Sequence, residues 1–229
     1  YLDARYEKVR QDGQVRDTAV LIAVGVGPEG HRKVLGVSAS LSEQEVHWRT
    51  FMESLVKRGL RGVQLIISDD HAGLNAARKA VFGGVPWQRC QFHLQQNAQA
   101  YVPHKEMQLE VAEALRTVFN APDRPTAERY LADAVKKYEK SASRLATWME
   151  LNVPEGLTCF SFPAAHRRSI RTSNPVERLN REVKRRTRVV GIFPNEASCL
   201  RLVSAILLEI SDEWEAGRIY LSMPAPGSP

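Results

Sequence analysis

Three carboxylates occupy positions that favour chemistry on a phosphodiester. Asp3 lies inside the first predicted strand, Asp69 follows a later strand, and Glu177 falls in the first turn of a late helix. Converging carboxylates repel one another unless they share divalent cations, and Mg²⁺ is bound by carboxylate oxygens. Two such ions, about 3.5–4 Å apart, suit an in-line phosphodiester displacement. The three acids therefore predict a site for two Mg²⁺ ions, which Mn²⁺ could replace.

Each of these acids also has an ordinary structural interpretation, which local sequence alone favours. Glu177 lies three residues after Asn174, with Pro175 between them, and this pattern could close a capping box. Asp3 could be a solvated strand residue, and Asp69 could open the turn before the next helix. The chemical interpretation rests on the joint occurrence of the three acids beside a basic helix.

The positive charge of the chain is concentrated around Glu177. The 229 residues carry a formal net charge of +6, whereas residues 167–188 contain nine Lys or Arg and two Glu, a net +7. The rest of the chain therefore sums to −1, and a basic surface of this kind is typical of a protein that holds a polyanion. A solvated charged face is the alternative. The residues predicted to contact the polyanion, which would be DNA if the resemblance described below holds, are Arg167, Arg168, Arg171, Arg178, Arg181, Lys184, Arg185 and Arg188.

Composition excludes several classes of protein. At 43% hydrophobic and 25% charged residues, the chain resembles an ordinary globular protein. The chain has three cysteines, which are too few for a secreted disulfide scaffold and cannot all be paired. This cysteine content favours the reducing cytosol. No apolar run reaches the roughly 18–20 residues of a membrane span, and no signal peptide is visible. The chain begins without Met inside a predicted strand, so we interpret it as a piece of a longer protein.

The first third of the chain predicts a three-stranded antiparallel meander. Its strands are Leu2–Val9, Thr18–Val26 and Lys33–Ser38, with turns at 11–14 and 28–30. Alternation places Asp3 and Arg5 on one face of the first strand.

A helix is predicted after the meander, with Ser42 as its N-cap and Glu45 completing a capping box. Its end is predicted at Gly59. The predicted apolar face consists of Trp48, Phe51, Met52, Leu55 and Val56.

A β-α-β unit is predicted next. It consists of a strand over Val63–Ser68, a helix over Ala72–Phe82 and a strand over Val85–Phe92. The element order predicts an α/β fold with one mixed sheet, and in such sheets functional residues gather at the carboxyl ends of parallel strands. The first and fourth strands are expected to be neighbours, which would bring Asp3 beside Asp69.

The rest of the chain is predicted to be mostly helical. Residues 93–151 predict long helices that form an insertion, and residues 157–162 predict a short strand or an extended return path. Helices over Pro175–Val189 and Asn195–Ala216 follow, and the final residues, PAPGSP, are expected to be disordered.

Two further features have competing interpretations. Cys90 and His93 form half of a zinc motif, but no second pair with suitable spacing follows, so a structural zinc is disfavoured. A buried cysteine and a helix-starting histidine are the ordinary alternative. Trp148 is most simply a core aromatic residue.

Four segments, in chain order, resemble the catalytic core of the Mutator-type (IS256-family) bacterial transposases. They are YLDARYEKVR, ISDDHAGL, RCQFHLQQN and RTSNPVERLNREVKRRTRVVGIFPN, and the resemblance covers nearly the whole chain. It implies a DDE transposase with an RNase H-like fold, interrupted by an α-helical insertion before the last acid. Asp3, Asp69 and Glu177 would form the catalytic and metal-binding triad, with Asp69 preferred to Asp70 because it directly follows Ser68.

The same resemblance implies roles for residues outside the triad and a division into domains. Cys90 and His93 would support the active site, and Trp148 would stack on an unpaired base of the DNA. The RNase H-like core would occupy residues 1–93 and 157–216, the helical insertion 94–156, and a flexible tail 217–229.

The implied reaction is hydrolysis of a phosphodiester at the transposon end, followed by attack of the freed 3′-OH on target DNA. Both steps are in-line phosphoryl transfers, so one site can perform them. Transposon ends and target DNA would be the partners, with at least a homodimer to pair two ends. The protein would act at the nucleoid in the bacterial cytoplasm, without a membrane. The alternatives are an RNase H-like nuclease that does not join DNA, and a catalytically silent DNA-binding protein derived from such a transposase.

Overall fold

Strands and helices follow one another in the order expected of an α/β protein, which confirms the predicted class. The structure is a computed structural model that describes residues 1–223. Its strands are β1 (Leu2–Gln11), β2 (Gln14–Val26), β3 (Arg32–Ser40), β4 (Ile66–Ser68) and β5 (Trp87–Arg89). Its helices are α1 (Glu45–Lys57), α2 (Ala72–Phe82), α3 (Gln91–Gln99), α4 (Met107–Phe119), α5 (Arg124–Tyr138), α6 (Ser143–Asn152), α7 (Ala164–Ile170), α8 (Asn174–Thr187) and α9 (Glu196–Glu215).

The chain divides into two compact units, each of which is discontinuous in sequence. The first, which we call the sheet unit, contains residues 1–66, 70–85 and the chain from 173 onward. The second, the helical unit, contains residues 67–69 and 86–172.

The predicted antiparallel meander is confirmed as the centre of the sheet unit. Strand β2 pairs with β1 on one side and β3 on the other, both antiparallel. The β1–β2 turn places Asp12 and Gly13 at φ 50° and 80°, the left-handed conformation that a tight hairpin requires. Strand β2 is fully buried from Thr18 to Val24 because helices cover both of its faces.

Strand alternation decides which helices cover each face of this sheet. Val20, Ile22 and Val24 point toward α8 and α9 and form one core with their apolar residues. The other face is covered by α1, since a Cβ added at Gly36 would lie 2.9 Å from Leu55. Asp3 is paired with Ile22, so the carboxylate points toward α8 and α9.

The helical unit has its own apolar core, formed mainly by α3, α4, α5 and α6. Leu94, Val111, Leu115, Leu145 and Met149 are each completely buried. Helix α4 lies within residues 93–151, for which long helices are predicted. Gln88 joins the core to the following turns, because its amide nitrogen donates to Gly156 O at 2.8 Å and its oxygen accepts from Cys159 N at 2.6 Å.

The predicted capping box of α1 is wrong. The N-cap residue is Gln44, which makes no side-chain cap hydrogen bond, and Ser42 lies outside the helix. The carbonyl of Ser42 instead accepts a hydrogen bond from Ser40 Oγ at 3.0 Å, so this segment forms a turn after β3. The apolar face is as predicted except for Val56, which is 43% exposed.

The prediction of one mixed sheet is also wrong, because the strands pair into two separate sheets. Within residues 1–223, β4 pairs with β5 and β1 pairs with β2, so the first and fourth strands do not share a ladder. Both β4 and β5 have only three residues, since the chain enters α2 and α3 soon after them.

Residues 157–162 form neither a strand nor an extended path. A 3₁₀ turn over Thr158–Ser161 occupies most of this segment and follows another over Val153–Gly156. The backbone N–H of Cys159 donates to the buried Gln88 side chain instead of to a strand partner.

The C-terminal residues are only partly described. The N–H groups of Tyr220 and Leu221 both donate to Gly30 O, at 2.8 and 3.1 Å. The PAPGSP segment, for which disorder is predicted, lies outside the described residues. Within residues 1–223, none of the helices combines the length and apolar character that crossing a membrane requires.

Candidate active site

Helix α8 has sharply divided faces, which follow from its sequence. Val176, Leu179 and Val183 recur at spacings of three and four and are buried against the sheet. Pro175 lies in the first turn, where a missing N–H costs no helical hydrogen bond. The charged residues therefore face outward or lie along the edges of the buried stripe.

A polar seam joins β1 to α8 along one edge of that stripe. Asp3 Oδ2 accepts a hydrogen bond of 2.7 Å from Asn180 Nδ2, and Asp3 Oδ1 accepts one of 2.9 Å from the N–H of Ala4. The Arg5 guanidinium donates to the backbone carbonyl of Asn180. Asp3 and Arg5 thus share one face of β1, as alternation predicts.

The seam continues toward the C-terminal end of α8. Arg5 forms an ion pair of 2.6 Å with Glu7, and both side chains are only 11% exposed. Glu7 in turn accepts a hydrogen bond of 2.9 Å from Thr187 Oγ1. Because Asp3 contacts Asn180 and Glu7 contacts Thr187, α8 runs in the same direction as β1.

Glu177 lies at the N-terminal end of this seam. It is three residues before Asn180, so it occupies a neighbouring position about 4.5 Å back along the helix axis. Its carboxylate is half-buried and accepts a hydrogen bond of 2.7 Å from Ser173 Oγ. Packing of α8 on β1 therefore brings Asp3 and Glu177 to the same end of the seam, although the two residues are 174 positions apart in the sequence.

The predicted capping box around Glu177 is not formed. The N-cap of α8 is Ser173 rather than Asn174, and Ser173 makes no side-chain cap hydrogen bond. The Ser173 hydroxyl instead donates to the Glu177 carboxylate. The Ser173 hydroxyl thus orients the glutamate, and Asn174 is not the N-cap that the predicted capping box requires.

Asn180 is the site residue that sequence reasoning missed. Its amide nitrogen fixes Asp3, and its amide oxygen is buried without a hydrogen-bond partner within residues 1–223. Arg5 Nε in the same seam is also buried and unpartnered there. The signal was present, since Asn180 follows Glu177 by three residues and must share its side of the helix.

The donor atoms of the seam suit a hard divalent cation. Asp3 and Glu177 present carboxylate oxygens, and Asn180 adds an amide oxygen, the ligand types that Mg²⁺ and Ca²⁺ prefer. The buried, unpartnered Asn180 oxygen carries a desolvation cost that a ligand would offset. In the type of donor atom, these residues fit the metal that the three acids predict.

Asp69 and Asp70 have different surroundings. Ser68, the last residue of β4, donates to Asp69 O at 2.8 Å and accepts from Trp87 Nε1 at 3.0 Å, which holds the strand end in place. The Asp69 side chain is half-buried. Asp70 is exposed, and its carboxylate accepts a hydrogen bond from Asn75 in α2. Asp70 thus has a structural partner on the following helix.

Cys90 and His93 lie at the start of α3, within the helical unit. Cys90 is completely buried, and its N–H donates to Ser68 O at 2.8 Å, next to Asp69. His93 is half-buried, with its ring edge-on to Phe92 at 5.6 Å. The Cys90 backbone therefore anchors α3 to the end of β4, the segment that carries Asp69.

The exposed face of α8 carries most of the predicted DNA contacts. Arg185 forms an ion pair with Glu182 at 2.9 Å, and its neighbour Arg186 forms a two-pronged pair with Glu209 of α9 at 2.7 and 2.9 Å. The remaining basic residues of this helix and its C-cap are exposed and have no ion pair within residues 1–223. They are Arg178, Arg181, Lys184 and Arg188.

The three basic residues of the α7 segment belong to the helical unit. Arg167 donates to Pro122 O at 2.6 Å and lies over the Phe160 ring at 5.1 Å. Arg171 donates to Asn120 Oδ1 at 2.7 Å. Arg168 is exposed. Arg167 and Arg171 therefore tie α7 to the turn between α4 and α5, in addition to any contact with DNA.

Trp148 is a core residue of α6, as its ordinary interpretation predicts. Its side chain is only 8% exposed, and its ring is stacked on Tyr101 with a centroid distance of 5.4 Å. The role in base stacking stays a prediction, and it would require this ring to become exposed.

Comparison with known proteins gives a consistent result over nearly the whole chain. Residues 1–217 match the sequence model described as "Transposase, Mutator family". The transposase for insertion sequence element IS406 of Burkholderia multivorans is 59% identical over 222 residues, which cover 97% of this chain and 57% of that protein.

More distant relatives have the same kind of name. The transposase for IS1081 of Mycobacterium tuberculosis is 42% identical over 96% of this chain and 53% of its own length. The transposase for IS256 in transposon Tn4001 of Staphylococcus aureus is 35% identical over 93% of this chain and 54% of its own length. The chain thus spans little more than half the length of the curated relatives that it matches.

Proposed function

This chain belongs to the Mutator family of transposases, and we propose that it is a DDE catalytic domain that cleaves and joins DNA. Hydrolysis of a phosphodiester at the transposon end would free a 3′-OH, and that hydroxyl would then attack target DNA. The observation that carries the proposal is the polar seam between β1 and α8. It places Asp3 beside Asn180, one helical turn from Glu177, next to a strongly basic helix face.

Asp3, Asp69 and Glu177 would hold the metal, with Asn180 as a neighbouring oxygen donor. Two Mg²⁺ ions held there would activate the attacking oxygen and stabilise the leaving oxygen. The donor set supports this assignment because it consists entirely of oxygen atoms. Asp69 is preferred to Asp70 because the Asp70 carboxylate is bound by Asn75.

The surrounding residues would orient the reacting groups. Asn180 holds one oxygen of Asp3, and Ser173 holds one oxygen of Glu177, so neither carboxylate can rotate freely. Arg178, Arg181, Lys184 and Arg188 have no ion pair to break within residues 1–223 and would contact DNA phosphates. Such contacts set the register of the DNA but do not read its sequence.

The fold proposed for this activity is an RNase H-like core, residues 1–93 and 157–216, interrupted by a helical insertion over 94–156. The central meander and the helices on both of its faces support it. All of residues 94–156 lie in the compact helical unit, which supports the insertion, and the same unit also contains residues 67–69, 86–93 and 157–172. A homodimer that pairs two DNA ends, acting at the nucleoid in the bacterial cytoplasm, completes the proposal.

The experiment is cleavage and joining by the full-length protein on DNA that carries the ends of its own element, with Mg²⁺ or Mn²⁺. Asp3→Asn, Asp69→Asn and Glu177→Gln are each expected to abolish both steps. The loss of activity should be larger than the roughly 10–100-fold loss that follows removal of a residue that only orients a metal ligand. Asp70→Asn is the matched control because it changes the adjacent carboxylate, and it should retain activity.

Three outcomes would contradict the proposal. Retained cleavage by Glu177→Gln would make Glu177 a structural residue. Metal-dependent cleavage without joining would support the nuclease alternative. Salt-dependent DNA binding without cleavage by the parent protein would support the silent DNA-binding alternative.

A further inference from the structure

The loop that follows α8 exposes apolar side chains in the most basic part of the chain. Val189 is 88% exposed, Ile192 44% and Val190 37%. Single exposed apolar residues are common on protein surfaces. Three of them within four residues, directly after a helix covered with arginine and lysine, form a patch that water solvates poorly.

This loop has a defined backbone. The N–H of Val190 donates to Thr187 O at 2.9 Å, and the N–H of Ile192 donates to Val190 O at 2.8 Å. The next residue, Phe193, is buried and exchanges hydrogen bonds of 2.8 Å with Lys8 O and Arg10 N on β1. Gly191 has φ +69°, the left-handed conformation that allows the chain to reverse here. The apolar side chains are therefore held outward by a turn anchored at both ends.

A straight stripe of residues connects Glu177 to the loop. Arg181, Lys184 and Arg188 follow Glu177 at spacings of four, three and four residues, so the four side chains lie on one face of α8. The eleven residues from Glu177 to Arg188 span about 16.5 Å at 1.5 Å per residue. The catalytic carboxylate and the apolar loop thus lie at opposite ends of one basic track.

We propose that residues 189–192 insert as an apolar wedge between base pairs of the DNA whose backbone lies along this track. Proteins that deform DNA combine basic contacts to the backbone with an apolar side chain placed between bases, and the loop with its flanking Arg188 has both components. Duplex DNA rises about 3.4 Å per base pair. The unstacked step should therefore lie within about five base pairs of the phosphodiester that is cut. This wedge rests on the proposed function, because it assumes that the Glu177 end of the track holds that phosphodiester.

Charge complementarity selects DNA as the occupant of this surface. Arg181, Lys184 and Arg188 are exposed, and none of them has an ion pair within residues 1–223. An apolar protein partner would have to bury these unpaired cations at a large cost in desolvation. A phosphate backbone instead neutralises them and brings the bases next to the loop.

The test uses the full-length protein and duplexes in which 2-aminopurine replaces one adenine at successive positions around the cut site. Glu177→Gln keeps the DNA intact during the measurement. The expected result is a rise in 2-aminopurine fluorescence at one or two adjacent steps within about five base pairs of the cut. The double variant V189S/I192S in the Glu177→Gln background should lose that rise. Val46→Ser, an equally apolar change at a residue of α1 that is 59% exposed, should keep it.

Three other outcomes would overturn the proposed wedge. Fluorescence that stays silent, or that rises equally with V189S/I192S, excludes unstacking by this loop. A change in sedimentation of V189S/I192S without DNA would show that the loop is an interface between protein chains. Cleavage assays test the proposed function separately from the wedge. If cleavage depends on Asp3 and Glu177 but the fluorescence does not rise, the proposed function stands and the wedge does not. A fluorescence rise that V189S/I192S removes, in a protein that cleaves no DNA, leaves the wedge intact instead.

Discussion

Two buried polar regions of this molecule differ in how completely their groups are hydrogen-bonded. In the helical unit, Gln88 is completely buried and its amide nitrogen donates to Gly156 O and to Arg89 O, at 2.8 and 2.7 Å. Its amide oxygen accepts from the N–H of Cys159. In the β1–α8 seam, by contrast, Arg5 Nε and Asn180 Oδ1 are buried and have no partner within residues 1–223.

This difference is the one expected between a structural network and a candidate binding site. A satisfied buried network adds to stability and gives a ligand no reason to bind. An unsatisfied buried atom carries a cost that a ligand would offset, and such atoms call for a functional explanation. Changes at Gln88 and at Asn180 should therefore differ in kind, with stability lost at the first and activity lost at the second.

Trp148→Ala should have the largest effect. Removing a buried aromatic side chain from a core typically lowers the free energy of unfolding by about 3–5 kcal/mol, and Trp148 is stacked on Tyr101. Trp148→Phe should retain much of this stability. Urea denaturation measures both. A Trp148→Phe protein that is stable but binds DNA weakly would show that this residue belongs to the binding surface instead.

Gln88→Leu should lower the free energy of unfolding by about 1–3 kcal/mol, because it leaves the buried N–H of Cys159 without an acceptor. Gln96→Leu, the same change at an exposed position of α3, is the matched control and should be nearly neutral. Chemical denaturation of both variants gives the comparison. Equal stabilities would show that the network contributes nothing, and the contrast with the seam would fail.

High pH should destabilise both units through buried thiols. Burial raises the pKa of Cys159 in the helical unit and of Cys199 in the sheet unit to about 11, from an ordinary 9.0. The unfolded thiols ionise first, so stability that is present below pH 9 is lost as the pH rises toward 11. Each thiol should remove at most about 1.4 kcal/mol per pH unit in that range.

Denaturation at several alkaline pH values measures this loss. Cys159→Ala and Cys199→Ala should each flatten the decline relative to the parent protein. An unchanged slope in either variant would show that the corresponding thiol does not ionise on unfolding.

Asn180→Ala should have the smallest effect on stability and a large one on activity. The loss of the unpartnered Asn180 oxygen offsets part of the cost of losing the hydrogen bond to Asp3, so the free energy of unfolding should fall by only about 1 kcal/mol. Cleavage should fall roughly 10–100-fold, as expected for a residue that orients a metal ligand. Asn174→Ala, at an exposed position of the same helix, is the control. A large loss of stability with unchanged cleavage would make the seam structural.

Much of the fold was predictable because it depends on short-range periodicity. Turn residues and a long apolar run predicted the meander, and alternation predicted the shared face of Asp3 and Arg5. The predicted bounds of α2 are those that the structure has. Errors arose where a distant segment decided the local structure. The segment around Cys159 forms a 3₁₀ turn, because its N–H meets Gln88 about seventy residues earlier in the chain.

The candidate site divides in the same way between sequence and structure. The sequence by itself determined the family, the basic face of α8 and the two carboxylates of the sheet unit, since residue types and helical spacing depend only on neighbouring positions. Only the tertiary structure decided that Asn180 binds Asp3 and that Trp148 is enclosed in a core. These outcomes depend on which surfaces of distant elements pack together, and periodicity shows which face is buried but not which side chain lies opposite it.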